Sequence, residues 1–277
     1  MKHIKTDIFI AVIASAVMLT AGVQLGHCEW AGPASPAGIQ DNDTWATVMT
    51  LLENQKAVIE LSEASVIIEV NSTDGDAGFQ VFLDGEGWRK ARIFDPEGIQ
   101  VLNVHVGGGI RSIGGGTELF METEEPEYED LDEFEELIEH LPEGEFMFLA
   151  ATTEGDWATG TAEFTHDVPA GPEIIAPLPD PGEECAADVL ADFAVIEWHP
   201  VTTQLTGAGD IEIVGYQIIV ENEDTERSFM VEVPAGVTLV TVSPEFLEAG
   251  LEYSFEILAI EESGNQTITE SCFETAE

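Results

Sequence analysis

FAVIEWHPV (193–201), GYQIIVE (215–221), FMVEVP (229–234) and VTLVTVSPEFLEAGLEYSFEILAIEESGNQT (237–267) decide the fold of this chain. Apolar and polar residues alternate along these segments, and successive side chains of a strand point to opposite faces. Ile196 and Trp198 fall on one face, where the indole buries a large apolar area. Tyr216, Ile218 and Val220 share a face, as do Tyr253, Phe255, Ile257 and Ala259. Ser254 and Glu256 fall on the opposite face, the half-wetted pattern of an antiparallel sheet.

With its early Trp and a Tyr after a Gly corner, this region resembles a fibronectin type III domain, over roughly residues 170–277. Leu247-Glu248-Ala249-Gly250-Leu251-Glu252-Tyr253 is similar to the family's L-x-P-G-x-x-Y corner, with Ala249 where Pro is favoured. In that family the Tyr hydroxyl bonds back to the preceding backbone. The resemblance implies a module that spaces, displays or binds, and it implies no particular ligand. No Arg-Gly-Asp tripeptide is present. The family's strand arrangement places the segments around Cys185 and Cys272 side by side, so a disulfide is expected there, with two free thiols as the alternative.

The chain begins Met1-Lys2-His3-Ile4-Lys5, and residues 8–19 are apolar except for Ser15. A basic start and a short apolar core form the pattern of a signal peptide, too short for a confident membrane span. We expect residues 1–28 to be the signal, with cleavage after Gly26-His27-Cys28 or earlier at Thr20-Ala21-Gly22. The expectation is an exported extracellular, periplasmic or cell-envelope protein, with no membrane span after signal removal.

Eight Lys and Arg stand against 55 Asp and Glu, a formal net charge of −47. Nucleic acid is excluded as a partner, because a phosphate backbone needs clustered cations. A hydrophobic fraction of 44% argues against disorder despite the charge. The acidity reads either as solubility in a salty or divalent-rich setting or as cation binding.

Residues 29–60 read as a leader and a short helix, with Trp45, Val48, Met49 and Leu52 on one face. Strands are expected at 66–70, 79–83, 88–94 and 99–106, separated by Asp74-Gly75-Asp76, Asp84-Gly85, Asp95-Pro96-Glu97-Gly98 and Gly107-Gly108-Gly109. The glycines at 107–109 and 114–116 suggest a flexible hairpin around Ile110-Arg111-Ser112-Ile113. A helix is expected over 128–141, with Leu131, Phe134, Leu137, Ile138 and Leu141 at helical spacing. A hairpin comes next over 146–152 and 157–165, and Val168-Pro169-Ala170-Gly171-Pro172 reads as a linker. The fold expected is all-β: two tandem immunoglobulin- or fibronectin type III-like sandwiches, at 61–168 and 169–277, with one short acidic helical insertion. The segments NSTDGDAGFQVFLDGEGWRK (71–90), TELFMETEEP (117–126), LPEGEF and FTHDVP resemble uncharacterised bacterial exported proteins, which adds organisation and no mechanism.

Catalytic chemistry finds little support. There is no H-E-x-x-H, C-x-x-C or G-x-S-x-G, and the glycine runs lack the Lys-Ser/Thr of a phosphate loop. No enzyme activity and no cofactor are expected. Two features remain. Asn71, Asp74 and Asp76, with Asp84 or Glu86 folding back from the next turn, resemble part of a calcium loop, against the plainer reading of a hairpin turn. Trp88, Lys90 and Arg92 would share a strand face and form a docking patch for an acidic protein or a glycan, against the reading that they neutralise nearby carboxylates. The function expected is a non-catalytic binding, adhesion or structural role. The alternatives are a calcium-dependent module and an appendage of a carbohydrate-active enzyme.

Overall fold

The computed structural model describes residues 58–277 apart from 208 and 223. The expected signal segment and most of the expected leader and short helix lie outside the described residues, while the last three residues of that 29–60 span, Val58–Glu60, form a strand. The N-terminal half runs β1 (Val58–Glu60), β2 (Glu63–Asn71), β3 (Asp76–Phe94), β4 (Gln100–His105), α1 (Gly108–Ser112), β5 (Gly116–Glu122), α2 (Leu131–Ile138), β6 (Gly144–Thr152) and β7 (Trp157–Phe164). The C-terminal half adds β8 (Ile174–Ala176), β9 (Ala186–Val189), β10 (Val195–Trp198), β11 (Ile213–Asn222), β12 (Arg227–Pro234), β13 (Leu239–Thr241), β14 (Glu252–Glu261) and β15 (Gln266–Thr275).

In the C-terminal half the three-stranded sheet β13-β10-β8 lies over the run β15-β14-β11-β12. Between them sit Ile196, Trp198, Tyr216, Ile218, Val220, Tyr253, Phe255, Ile257 and Ala259, the faces that alternation selects. The Glu248 N–H donates to the Tyr253 hydroxyl at 2.8 Å, so the tyrosine corner forms with Ala249 in the favoured proline's place. Three strands facing four, closed by this corner, make the half a fibronectin type III-like sandwich. Cys185 and Cys272 form a disulfide with Cα atoms 4.8 Å apart.

The N-terminal half turns on one strand. Alternation suggested two strands broken by a turn at Asp84-Gly85, but β3 runs unbroken for 19 residues. Its first part pairs with β2 and β5, its second with β4 and β6. The bend between them falls at Gly85 and Gly87, where side chains would collide: a Cβ on Gly87 would lie 2.3 Å from the Gly114 carbonyl oxygen. The bent strand thus serves two layers that enclose Val66, Ile68, Leu83, Ile93, Phe146, Phe148 and Phe164. Helix α2 closes this core with Phe134 and Ile138, and its N-cap Asp130 accepts from Glu133 N at 3.1 Å. The expected Gly-rich hairpin is in fact the short helix α1 between β4 and β5.

The two halves share one twelve-stranded sheet, because β15 pairs in parallel with β2 through Gln266, Thr267 and Ile268 beside Glu69, Val70 and Asn71. Buried amides complete the joint. Asn265 Oδ1 accepts from Ile68 N at 2.8 Å, and its Nδ2 donates to the Thr165 and Asp167 carbonyls. Thr267 Oγ1 donates to the Pro169 carbonyl at 2.6 Å. The stretch read as a linker is pinned as well: Leu205 N donates to Val168 O and Ala170 N to Thr203 O. Buried polar groups are costly when unpaired, so these bonds favour one relative placement of the halves.

Candidate functional site

The outer face of the shared sheet collects carboxylates. In β2, Val66, Ile68 and Val70 enter the core, which turns Glu69 and Asn71 outward. Glu69 stands opposite Gly78 on β3 and beside Gln266 on β15. Gly78 leaves room: a Cβ there would come within 3.0 Å of the Glu125 Cγ and 3.1 Å of the Thr123 Oγ1. Glu122 arrives from β5 opposite Gln80. Carboxylate oxygens of Glu69, Glu122 and Glu125 lie within 4.8 Å of one another.

Neutral amides serve as the donors here. Gln266 Nε2 donates to Glu69, Gln80 Nε2 to Glu122 at 2.8 Å, and Asn71 Nδ2 to Glu270 at 2.7 Å. Amides satisfy lone pairs without cancelling charge, so the acids remain electrostatically exposed to each other. Glu69 is only 4% exposed, and burial, reinforced by Glu122, raises its pKa to about 8. Burial, then Glu122, Asp76 and Glu270, raises Glu125 to about 7. On β14, burial with Glu270 and Glu221 nearby raises Glu256 to about 7, and its Oε2 is buried without a hydrogen-bond partner. The wetted outer face expected of β14 is therefore absent here: Leu258 beside Glu256 packs with Ile219 and Ile268. Arg227 forms an ion pair with Glu248. Such an array can hold protons or a hard, oxygen-liganded cation.

The sequence-selected acids are only partly assembled. Asn71 Oδ1 accepts from Thr73 N and Asp74 N, closing a turn, so this oxygen is already engaged. Asp74 and Asp76 lie close enough that each raises the pKa of Glu270, after burial. Asp84 does not join them. It pairs with Glu63 at the far end of the β2–β3 ladder, about 26 Å away at about 3.3 Å per residue. Glu69 was not singled out by the sequence, and Glu122 and Glu125 stand there only within the acid-rich run 122–145, which reads as a diffuse divalent-cation binder or, more plainly, as a solvated helix face. The alternation of β2, which leaves Glu69 outward between core residues, was the available signal.

Trp88 also departs from expectation. It is 2% exposed and packs in the core with Ala91 and Ile93, so it offers no docking surface. The register with β6 slips between Trp88 and Lys90, and the extra residue reverses the facing of the side chains beyond it. Lys90 and Arg92 consequently lie on the opposite side of β3 from Trp88.

A scan against models of known families finds no match, and neither does a search of curated proteins. Among solved structures, the chain is similar to the FN1–FN3 domains of chicken CNTN1, at 13% identity and a TM-score of 0.34, covering 79% of this chain and 65% of that one. It is similar to the fn3 domain of human collagen alpha-1(XX), at 16% identity and a TM-score of 0.26, covering 32% and 74%. A structure described as a myokine matches at 17% identity and a TM-score of 0.28, covering 41% of this chain and all of the other.

Proposed function

We propose that this chain is an exported, non-catalytic protein whose two β-sandwich units, residues 61–168 and 169–277, serve a binding or structural role toward a protein or glycan. The observation that supports it is the buried joint. Asn265, Thr267 and the β15–β2 ladder lock both halves into one sheet and present one continuous outer face. The Cys185–Cys272 disulfide fits an oxidising compartment, and no described helix is long and apolar enough to cross a membrane. Phosphate backbones are disfavoured as partners by the net charge of −47. Cell fractionation tests export: a shortened chain outside the cytoplasm with no free thiol at Cys185 or Cys272 supports it. Binding to purified envelope glycans and exported proteins, compared between the native chain and Glu122→Lys/Glu125→Lys, tests the face. A partner bound equally by both proteins would remove the face from the proposal.

A second reading, a divalent-cation-dependent module, is favoured by the convergence of Glu69, Glu122 and Glu125. Asp74 and Asp76 are a neighbouring candidate pair. A ligand that binds only the folded state stabilises it by about 2.7 kcal/mol at one hundred times its dissociation constant. A saturable rise in melting temperature with calcium, lost in Glu122→Gln/Glu125→Gln, supports this reading. An equal, non-saturating rise with magnesium reduces the effect to charge screening.

A further inference from the structure

Two exposed turns share one design. In the first, Ile113 N donates to the Ile110 carbonyl at 3.2 Å, and the two isoleucines are 59% and 85% exposed with Arg111 between them. In the second, Phe193 N donates to the Leu190 carbonyl at 2.9 Å, and Leu190 and Phe193 are 59% and 67% exposed with Asp192 between them. Each turn holds out two large apolar side chains at positions i and i+3. The charged residue enclosed is positive in one and negative in the other.

Two of the glycines beside the first turn, Gly107 and Gly109, are not explained by the fold, whereas Gly108, Gly114 and Gly115 have positive φ and a Cβ on Gly116 would meet the Trp88 ring. Gly107 has an ordinary φ of −124°, and a Cβ on Gly107 or Gly109 would meet nothing within 4 Å. Bare backbone at such positions permits close approach by another surface.

The turns lie at opposite ends of the shared sheet. Asn71 and Ile268 mark a shared level where β2 and β15 run parallel. From there β2 leads back to Glu63, opposite Asp84, and the Gly87–Gly114 approach beside the first turn lies just beyond. In the other direction β15 leads on to Thr275, beside Val189 and the second turn. At about 3.3 Å per residue the turns stand on the order of 50 Å apart. Neither can cover the other within one chain.

We propose that the Ile110–Ile113 turn of one copy docks on the Leu190–Phe193 turn of a second copy, with Arg111 facing Asp192. The two surfaces differ, so the contact is heterologous and propagates head to tail instead of closing as a two-fold dimer. It uses the two ends of the shared sheet and is independent of any ligand on the acidic face. Repulsion between copies of charge −47 opposes it, and salt relieves that repulsion as the Debye length falls from about 8 Å at physiological salt to about 3 Å at 1 M. Association therefore strengthens with salt.

Sedimentation velocity on the mature, disulfide-bonded chain tests this. The native protein is expected to form a concentration-dependent ladder of species that grows with salt. Ile113→Ser and Phe193→Ser should each weaken association about ten-fold or more, the effect of losing one buried large aliphatic or aromatic side chain. Both positions are exposed, so unchanged melting temperatures exclude misfolding as the cause. The decisive measurement mixes the two variants. Each retains one sound end, so the mixture should yield dimers and nothing larger. Arg111→Asp should weaken association and Arg111→Asp/Asp192→Arg should recover part of it. A native protein that stays monomeric in high salt overturns the proposal, as does a ladder unaffected by Ile113→Ser. Co-sedimentation of the native monomer with phosphatidylcholine vesicles, lost in Ile113→Ser, would overturn it by assigning the turn to lipid.

Discussion

Replacing Glu69 with Gln tests whether buried acid on the shared face governs stability. Its carboxyl is raised from 4.5 to about 8, first by burial and then by Glu122, with Glu125 adding to the repulsion. In the unfolded chain the group titrates near its ordinary value. Between those two values the folded state holds a proton that the unfolded state has released, so stability falls as pH rises. At 1.36 kcal/mol per pKa unit, a rise from 4.5 to about 8 corresponds to a loss on the order of 5 kcal/mol once pH passes the folded value. For a chain of this size that is roughly 10–20 °C in melting temperature. Gln266 can still donate to the amide oxygen of a Gln at position 69, and the new NH₂ group faces Glu122 and Glu125. Glu69→Gln should therefore melt close to the native protein at pH 5 and well above it at pH 8.5. Glu163→Gln, on the exposed side of β7, removes a charge without entering the cluster and serves as control. Glu125 and Glu256, both raised to about 7, leave a residual slope in the variant. A native melting temperature that is flat or rising from pH 5 to 8.5 would refute the reasoning. So would a slope that Glu69→Gln leaves intact.

Tyr253→Phe removes the partner of the Glu248 N–H while keeping the ring that stacks on Phe273. The expected cost is about 1–3 kcal/mol, read from urea unfolding with an unchanged m-value. Gly87→Ala should lower the melting temperature clearly, since its Cβ would meet the Gly114 carbonyl oxygen at 2.3 Å and backbone must move. Gly107→Ala, which meets nothing within 4 Å, should leave it almost unchanged in the same scan.

Much of the C-terminal half was readable because its signals are local. Ile196 and Trp198, or Tyr253 and Phe255, reveal their common face by spacing alone, and the corner residues lie within one short segment. Local signals mislead where geometry departs from strict alternation. Gly85 looked like a turn residue, yet it bends a continuous strand, because two layers require one strand to pass between them. Trp88 looked coplanar with Lys90, but an inserted residue at the slip reversed the facing. The acidic cluster was hidden for a different reason. Asp74 and Asp76 stand out as neighbours in sequence, whereas Glu69 and its donor Gln266 are 197 residues apart.

By itself, the sequence determined an acidic, strand-rich chain with a fibronectin type III-like C-terminal sandwich, together with the inner faces of its main strands. Those properties arise from composition and from a side-chain period of two, which needs no knowledge of the neighbouring strand. Tertiary structure alone decided that β15 pairs with β2, that the halves share a sheet, and that Glu69, Glu122 and Glu125 converge. Pairing between distant strands carries no local signature. It is selected by the fit of whole surfaces, here the buried amides of Asn265 and Gln266 finding partners across the joint.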